Sequence, residues 1–526
     1  GAPALDGEMA PEEGDGRGRT ERLGFHAVDR ECDTTLPVHG TLPGWLAGTL
    51  LRNGPGRFAF AEGAVDHWFD GLAMLRRFEL RDGEVRYRTR FLDTEAYEAA
   101  ANGAYAGFGT APDAGLLRRV WNRLSPPDAT DNTSVNVWRY GDETVALTET
   151  TALTAFDPET LDTRRRTDYP DAVDGQTTTA HPHHDRERGE TVNVATRFGR
   201  QSSYQVYRVP DGSWDVESIA RVSTDRPSYL HSFGLTERYV VLAEFPLVVA
   251  PWRLLAPTDE SFIERFNWRP ERGTRYHVLD RGTGDRVARI EGDPLFCFHH
   301  VNAYEGGAEG VSAADPSTLV VDMITFSDAA AIGSLYLEDL VGEDDPVEGG
   351  SLTRVRLDLD AGRASAETLH PGGIGLPRIA PAARRRPYRY VYGQDTGGQP
   401  VTGLPGGVMK VDVRTGEATR YRRPECAFHE PVFVPNPYAR DGATGGAAAG
   451  GAARKPRPPR PTPPAGGGGR CGPSPPPATP LPQPAETRSY VASSPASNPC
   501  MIACISASAS SVSGSEASSR NALPFR

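Results

Sequence analysis

From about Gly24 to Tyr438, apolar and polar residues alternate in short runs, and the runs stop at Asp, Pro or Gly. This is the pattern of half-buried β-strands joined by tight turns. It recurs as hairpins. FELRDGEVRYRTRF turns near Asp82, TAFDPETLDTRR near Asp157 and YRVPDGSWDVESI near Asp211. YHVLDRGTGDRVARI, VRLDLDAGRASAE and MKVDVRTGEATRY turn near Asp280, Asp360 and Asp412. Helical periodicity is confined to TEAYEAAANGAYAGF and GLLRRVWNRL. Hairpins at intervals of about 50–80 residues predict an all-β chain, and a β-propeller of four-stranded blades in particular. A sandwich would be smaller, and a parallel sheet would need helices between its strands.

The flanks read differently. Residues 1–22 are polar and rich in Gly and Glu, which predicts a disordered segment. After Asp441 the text becomes GATGGAAAGGAARKPRPPRPTPPAGGGG, followed by Pro- and Ser-rich stretches. Such composition buries too little apolar surface to offset chain entropy. The expected organisation is therefore a segment 1–22, a propeller over 23–440 and a low-complexity tail over 441–526. A shifted reading frame in GC-rich DNA would give a tail of this Gly, Ala, Pro, Arg and Ser content.

Composition narrows the classes. The 526 residues carry 57 Lys+Arg against 69 Asp+Glu, a formal charge of −12, which argues against a nucleic-acid binder. At about 150 residues per domain, the length suits several domains or one large repeat-built one. No run of about 18 apolar residues could span a bilayer. Residues 1–22 hold no apolar leader core. The six cysteines show no zinc-type spacing, so a reduced cytoplasmic setting is expected.

Three of the twelve histidines open or precede strand-like runs: His181 in TTTAHPHHD, His231 in SYLHSFGLTERYVVLAEF and His299 in FCFHHVNAYEGG. They lie 50 and 68 residues apart, one per presumed blade. Innermost strands of successive blades line the propeller axis, so these side chains can converge there. Neutral imidazoles suit Fe, Zn, Cu or Ni.

These segments carry a resemblance. LPGWLAGTLLRNGPGRF, DHWFDGLAMLRRFEL, TDNTSVNVW, ALTETTALTAFDPETLDT, TAHPHHD, LHSFGLTERYVV, FHHVNAYEG and HEPVFVPNP occur in this order over residues 36–440. The chain resembles the carotenoid cleavage oxygenase family, especially the branch of animal β-carotene oxygenases and the retinal-pigment isomerohydrolase. The resemblance implies a seven-bladed propeller with a small helical dome, and the departure of the sequence from the family after about 440 leaves the last blade expected to be incomplete. It implies Fe2+ on the axis, held by His181, His231 and His299. His299 is preferred to His300 because it lies three residues before Asn302, and strand alternation lets only one of the pair face the axis. Glu149 and Glu430 match glutamates that take the outward ring N–H of such ligands. Asn302, Glu305 and the RNGPG and WFDG segments read as structural.

One element of the family pattern is missing. The fourth histidine lies near the C-terminus of its members, whereas no histidine follows His429 in this sequence. His429 directly precedes EPVFV, where the family has no ligand. The implied function is cleavage of a conjugated C=C bond of a carotenoid by O2, giving aldehyde or ketone products, impaired for want of that ligand. A stilbene-cleaving dioxygenase and a non-catalytic carotenoid-binding propeller are the alternatives. The implied partners are an apolar polyene and O2, with peripheral membrane contact through EFPLVVAPWRLLAP, residues 244–257.

Overall fold

The hairpin tips show why the chain turns where it does. Asp82 (φ 52°) and Gly83 (φ 82°) are both left-handed, the backbone that suits a two-residue hairpin between Leu72–Arg81 and Glu84–Phe91. Four other tips share a different device. Asp157, Asp280, Asp358 and Asp412 each accept backbone N–H bonds on Oδ1. The residue four places on is left-handed in every case: Leu161, Gly284, Gly362 and Gly416. Leu161 adopts φ 66° although it carries a side chain, which is fully buried with Leu51, Leu75 and Phe156 between the first two blades.

The computed structural model describes residues 30–438, apart from 39, 61, 62, 103, 104, 106, 111–129, 257–259, 307–316, 342–348, 398–404 and 423–427. Among them six antiparallel sheets follow one another as blades. The first runs Gly48–Arg57, Leu72–Arg81, Glu84–Phe91, with the earlier strand Asp33–Leu36 at its far edge. The second runs from Asn136–Tyr140 to Thr163–Asp168. The third opens with Thr177–Thr178 and His183–Asp185, both paired to Glu190–Arg197. The fourth, fifth and sixth open with Gly234–Leu235, Phe296–Glu305 and Ile374–Arg378. Interfaces between blades are apolar: Val241, Val278, Val321 and Val355 fill one of them, and Val194, Val206, Phe233 and Leu242 another.

The fold is thus the expected all-β propeller, with six blades rather than seven among the described residues. Residues 428–438 leave the sixth blade and return to the first. Val434 packs with Leu46, Leu50 and Phe78, and Arg52 donates to the Glu430 carbonyl at 2.9 Å. The tail beyond 440, the segment 1–22 and GLLRRVWNRL lie outside the described residues. Helix is scarce, as the pattern predicts. Glu95–Ala101 forms within TEAYEAAANGAYAGF and is capped by the Thr94 hydroxyl, which accepts from Tyr97 N–H.

A buried ion cluster ties the third blade to the fourth. The Arg281 side chain is 0% exposed and donates to Asp185 Oδ2 (2.8 Å), Glu190 Oε1 (2.7 Å) and the Thr236 carbonyl (2.9 Å). Arg385 balances the other oxygen of Asp185 at 2.9 Å. Deleting one partner of a buried charge set strands the rest. Arg281→Met is therefore expected to lower the unfolding free energy by about 3–5 kcal/mol in urea melts, and a loss under about 1 kcal/mol would contradict this role.

Candidate metal centre

The first strands of the third, fourth and fifth blades bring the three histidines to the axis. His181 sits between Thr177–Thr178 and His183–Asp185, on a turn anchored by Asn193, which donates to Thr179 O at 3.0 Å. His231 precedes the strand Gly234–Leu235. His299 lies on a β-bulge: Cys297 pairs with Thr325 and His300 with Met323, so Phe298 and His299 together face one partner residue. A bulge re-aims the side chains of the strand that carries it.

The ring nitrogens meet. His181 Nε2 lies 2.9 Å from His231 Nε2, which lies 3.2 Å from His299 Nε2, and all three ligand atoms fall within 4.8 Å of one another. The chemistry of this set can be read from its hydrogens. His231 Nδ1 is 2.5 Å from Glu149 Oε1, and a carboxylate only accepts, so Nδ1 carries a proton and Nε2 is the nitrogen turned to the other two rings. Burial first, and then the neighbouring imidazoles and Arg378, hold His181 and His299 well below the usual imidazole range. Three imidazole nitrogens thus share a small volume that a cation fits. Two imidazoles bound at about 2.1 Å and at right angles would put their nitrogens about 3.0 Å apart, close to the spacings seen.

Glu149 is itself positioned, because its Oε2 accepts from the Tyr229 hydroxyl at 2.8 Å. Tyr229 was not foreseen from sequence; its place two residues before His231, on the same face of an extended chain, was the available signal. Glu430 is not brought to the cluster by any hydrogen bond among the described residues. Its Oε1 pairs with Arg378 Nε at 2.8 Å. The remaining histidines have other surroundings. His183 donates to the Phe233 carbonyl (3.0 Å), His184 faces Asp211 (3.0 Å) and His300 bonds Ser232. The charges nearest His429 are Arg52 and Arg76.

An aromatic wall adjoins the nitrogens. Phe69 stacks on His231 with ring centroids 6.3 Å apart, and Phe298 meets it edge-on at 5.2 Å. Phe108 bridges Phe69 and Tyr229. Asp70 pins this loop by accepting from Phe108 N–H (2.6 Å), Gly109 N–H (2.9 Å) and the Thr110 hydroxyl (2.8 Å). At Gly107 a Cβ would stand 2.1 Å from Asp70 Oδ1, so only glycine fits. The WFDG segment, read from sequence as packing, therefore also shapes the site. Asn302 and Glu305 do hold backbone: Asn302 clamps Ala383 and Arg386, and Glu305 binds Thr236 and Arg238 N–H. In the 244–257 stretch Phe245, Leu247 and Val249 are buried, whereas Trp252 is 69% exposed on the short helix Pro251–Leu255.

Comparison with known proteins gives the family. The family model described as retinal pigment epithelial membrane protein matches residues 25–445. The chain belongs to the carotenoid cleavage oxygenase family. It is 33% identical over 466 residues to the β,β-carotene 15,15′-dioxygenase of Mus musculus, covering 77% of this chain and 79% of that one. It is 33% identical over 446 residues to the carotenoid isomerooxygenase of Galleria mellonella, covering 78% and 85%. Among solved structures, cobalt-substituted Synechocystis apocarotenoid oxygenase superposes with a TM-score of 0.70 at 22% identity, over 81% of this chain and 88% of that one. Among the described residues of this family member, three histidines, not four, form the cluster.

Two outcomes follow from the geometry. Glu149→Gln removes the charge behind His231, and metal affinity is expected to fall about ten- to a hundredfold in a chelator-competition titration. The buried histidines also set a pH dependence. Burial lowers His67 and His183 to about 4, and His181 and His299 well below their ordinary value. The unfolded chain binds protons below about pH 6.5 while these folded rings stay neutral, so stability falls as pH drops. Metal-free protein should lose up to about 1.4 kcal/mol per pH unit for each such ring between pH 6.5 and 4.5, and a flat urea-melt profile there would contradict it.

Proposed function

We propose that this protein is a non-haem Fe2+ dioxygenase that cleaves one conjugated C=C bond of a carotenoid or apocarotenoid with O2. The observation that carries the reading is the cluster of three imidazole nitrogens beside an aromatic wall, in a chain of this family. A ferrous ion held by His181, His231 and His299 would supply the electron transfer that lets triplet O2 react with an alkene. The chain's own groups do the rest. Glu149 and Tyr229 fix the His231 ring and its proton. Phe69, Phe108 and Phe298 offer apolar surface to a polyene and keep water from it. Both atoms of O2 enter the two carbonyl products, so no reductant or organic co-substrate is needed.

The names of the relatives, a carotene dioxygenase and a carotenoid isomerooxygenase, support a carotenoid as the substrate class. So apolar a substrate is held in membranes, and Trp252 beside the buried Phe245–Val249 run suits peripheral contact with one from the cytoplasm. The three-histidine count favours a second reading, a propeller that binds carotenoid without cleaving it.

Anaerobic loading with Fe2+, followed by oxygen uptake with β-carotene or with a resveratrol-like stilbene, separates these readings. The proposal expects one O2 consumed per polyene bond cleaved and little with the stilbene. Iron and polyene bound with no oxygen consumed would establish the non-catalytic propeller.

A further inference from the structure

Beside the contacts already described, a serine hydroxyl joins the His231 segment to the bulged His299 strand. Ser232 is 5% exposed and follows His231 directly. Its hydroxyl hydrogen goes to the Phe298 carbonyl at 2.6 Å. Its oxygen accepts the backbone N–H of His300 at 3.0 Å. The same oxygen lies 2.8 Å from His300 Nδ1. A serine hydroxyl has one hydrogen, and Phe298 already takes it, so His300 Nδ1–H must be the donor in this third bond. All three bonding positions of the oxygen are then used.

The placement matters more than the number of bonds. Phe298 and His300 flank His299, at the point where the bulge interrupts the ladder to Thr318–Phe326. A bulge leaves backbone groups without their regular partners, and such groups, when buried, need others. One oxygen attached next to His231 supplies them on both sides of His299. The two ring nitrogens whose separation this would fix are His231 Nε2 and His299 Nε2, 3.2 Å apart.

We propose that Ser232 is a positioning residue for the metal centre, its hydroxyl stapling the His299 bulge to the His231 segment and setting the spacing of the two rings. The inference rests on the metal reading given above. Alanine at 232 leaves the Phe298 carbonyl and the His300 N–H without their partner, and the bulge is free to settle elsewhere. His300→Phe removes only the ring's bond and leaves the backbone bonds in place. Ser203 supplies the contrast: it is also buried, and its hydroxyl accepts from Arg221 at 3.0 Å, but it lies on Ser202–Pro210, away from the axis.

The test uses the full chain, with cobalt(II) as the probe. Dissociation constants are measured by titration, visible d–d spectra report the ligand field, and thermal unfolding of the metal-free proteins is followed alongside. Ser232→Ala is expected to weaken cobalt binding about tenfold or more and to change the d–d bands. His300→Phe should shift both in the same direction by less. Ser203→Ala should lower the melting temperature and leave cobalt binding and spectrum as in the wild type. The proposal is overturned if Ser232→Ala binds cobalt with wild-type affinity and spectrum, or if Ser203→Ala weakens binding as much. A wild-type chain that binds no cobalt overturns the metal reading itself, and this inference with it.

Discussion

Three imidazole nitrogens crowded around one point are an unfavourable arrangement unless something positive occupies that point. His231 is buried and the other two rings are partly so, which limits the water that can screen them from one another. His231 cannot relieve the conflict by turning its hydrogen inward, because Glu149 holds that hydrogen on the far side of the ring. Protonating His181 or His299 is opposed by burial and by Arg378. A divalent cation removes the conflict, and the rest of the site is consistent with holding the rings until one arrives.

The propeller makes that preorganisation inexpensive. Each blade is stabilised by its own apolar interfaces, and its first strand comes to the axis as a consequence of stacking rather than of any contact between ligands. The histidines can therefore lie 50 and 68 residues apart and still meet. Fine adjustment is local: a bulge at Phe298–His299, an Asn193-anchored turn before His181, and the Ser232 bonds between them. On one side, Asp70 and two glycines hold Phe108 against Phe69 and Tyr229, so the nitrogens adjoin apolar surface rather than solvent. The proposed function draws on both features, the imidazole cluster and the apolar surface beside it.

Much of this was legible in the sequence, for identifiable reasons. The hairpins were readable because Asp and Gly do the turning in most of them, and the three histidines because each heads a strand in a repeating fold. Leu161 shows the limit: it takes a left-handed backbone that glycine occupies in the other tips, and only its burial between blades explains why. Strand alternation was used to choose His299 over His300, yet two register shifts break alternation there, so the aim of His299 comes from the bulge and not from parity. Phe69 and Tyr229 depend on contacts between distant blades, which no local pattern announces. Glu430 faces Arg378, an ion pair formed across 52 residues of chain that a motif alone does not reveal. Six blades are seen among the described residues, and the periodic hairpin pattern in the sequence ends near 438.

The central claim is that His181, His231 and His299 act as one cation site. Metal content per chain, measured after iron loading and desalting, tests it most directly for the wild type and for His181→Ala, His231→Ala and His299→Ala. The account predicts close to one iron per wild-type chain and almost none in each variant, with His429→Ala like the wild type. Iron retained in all three single variants, or absent from the wild type, would contradict it.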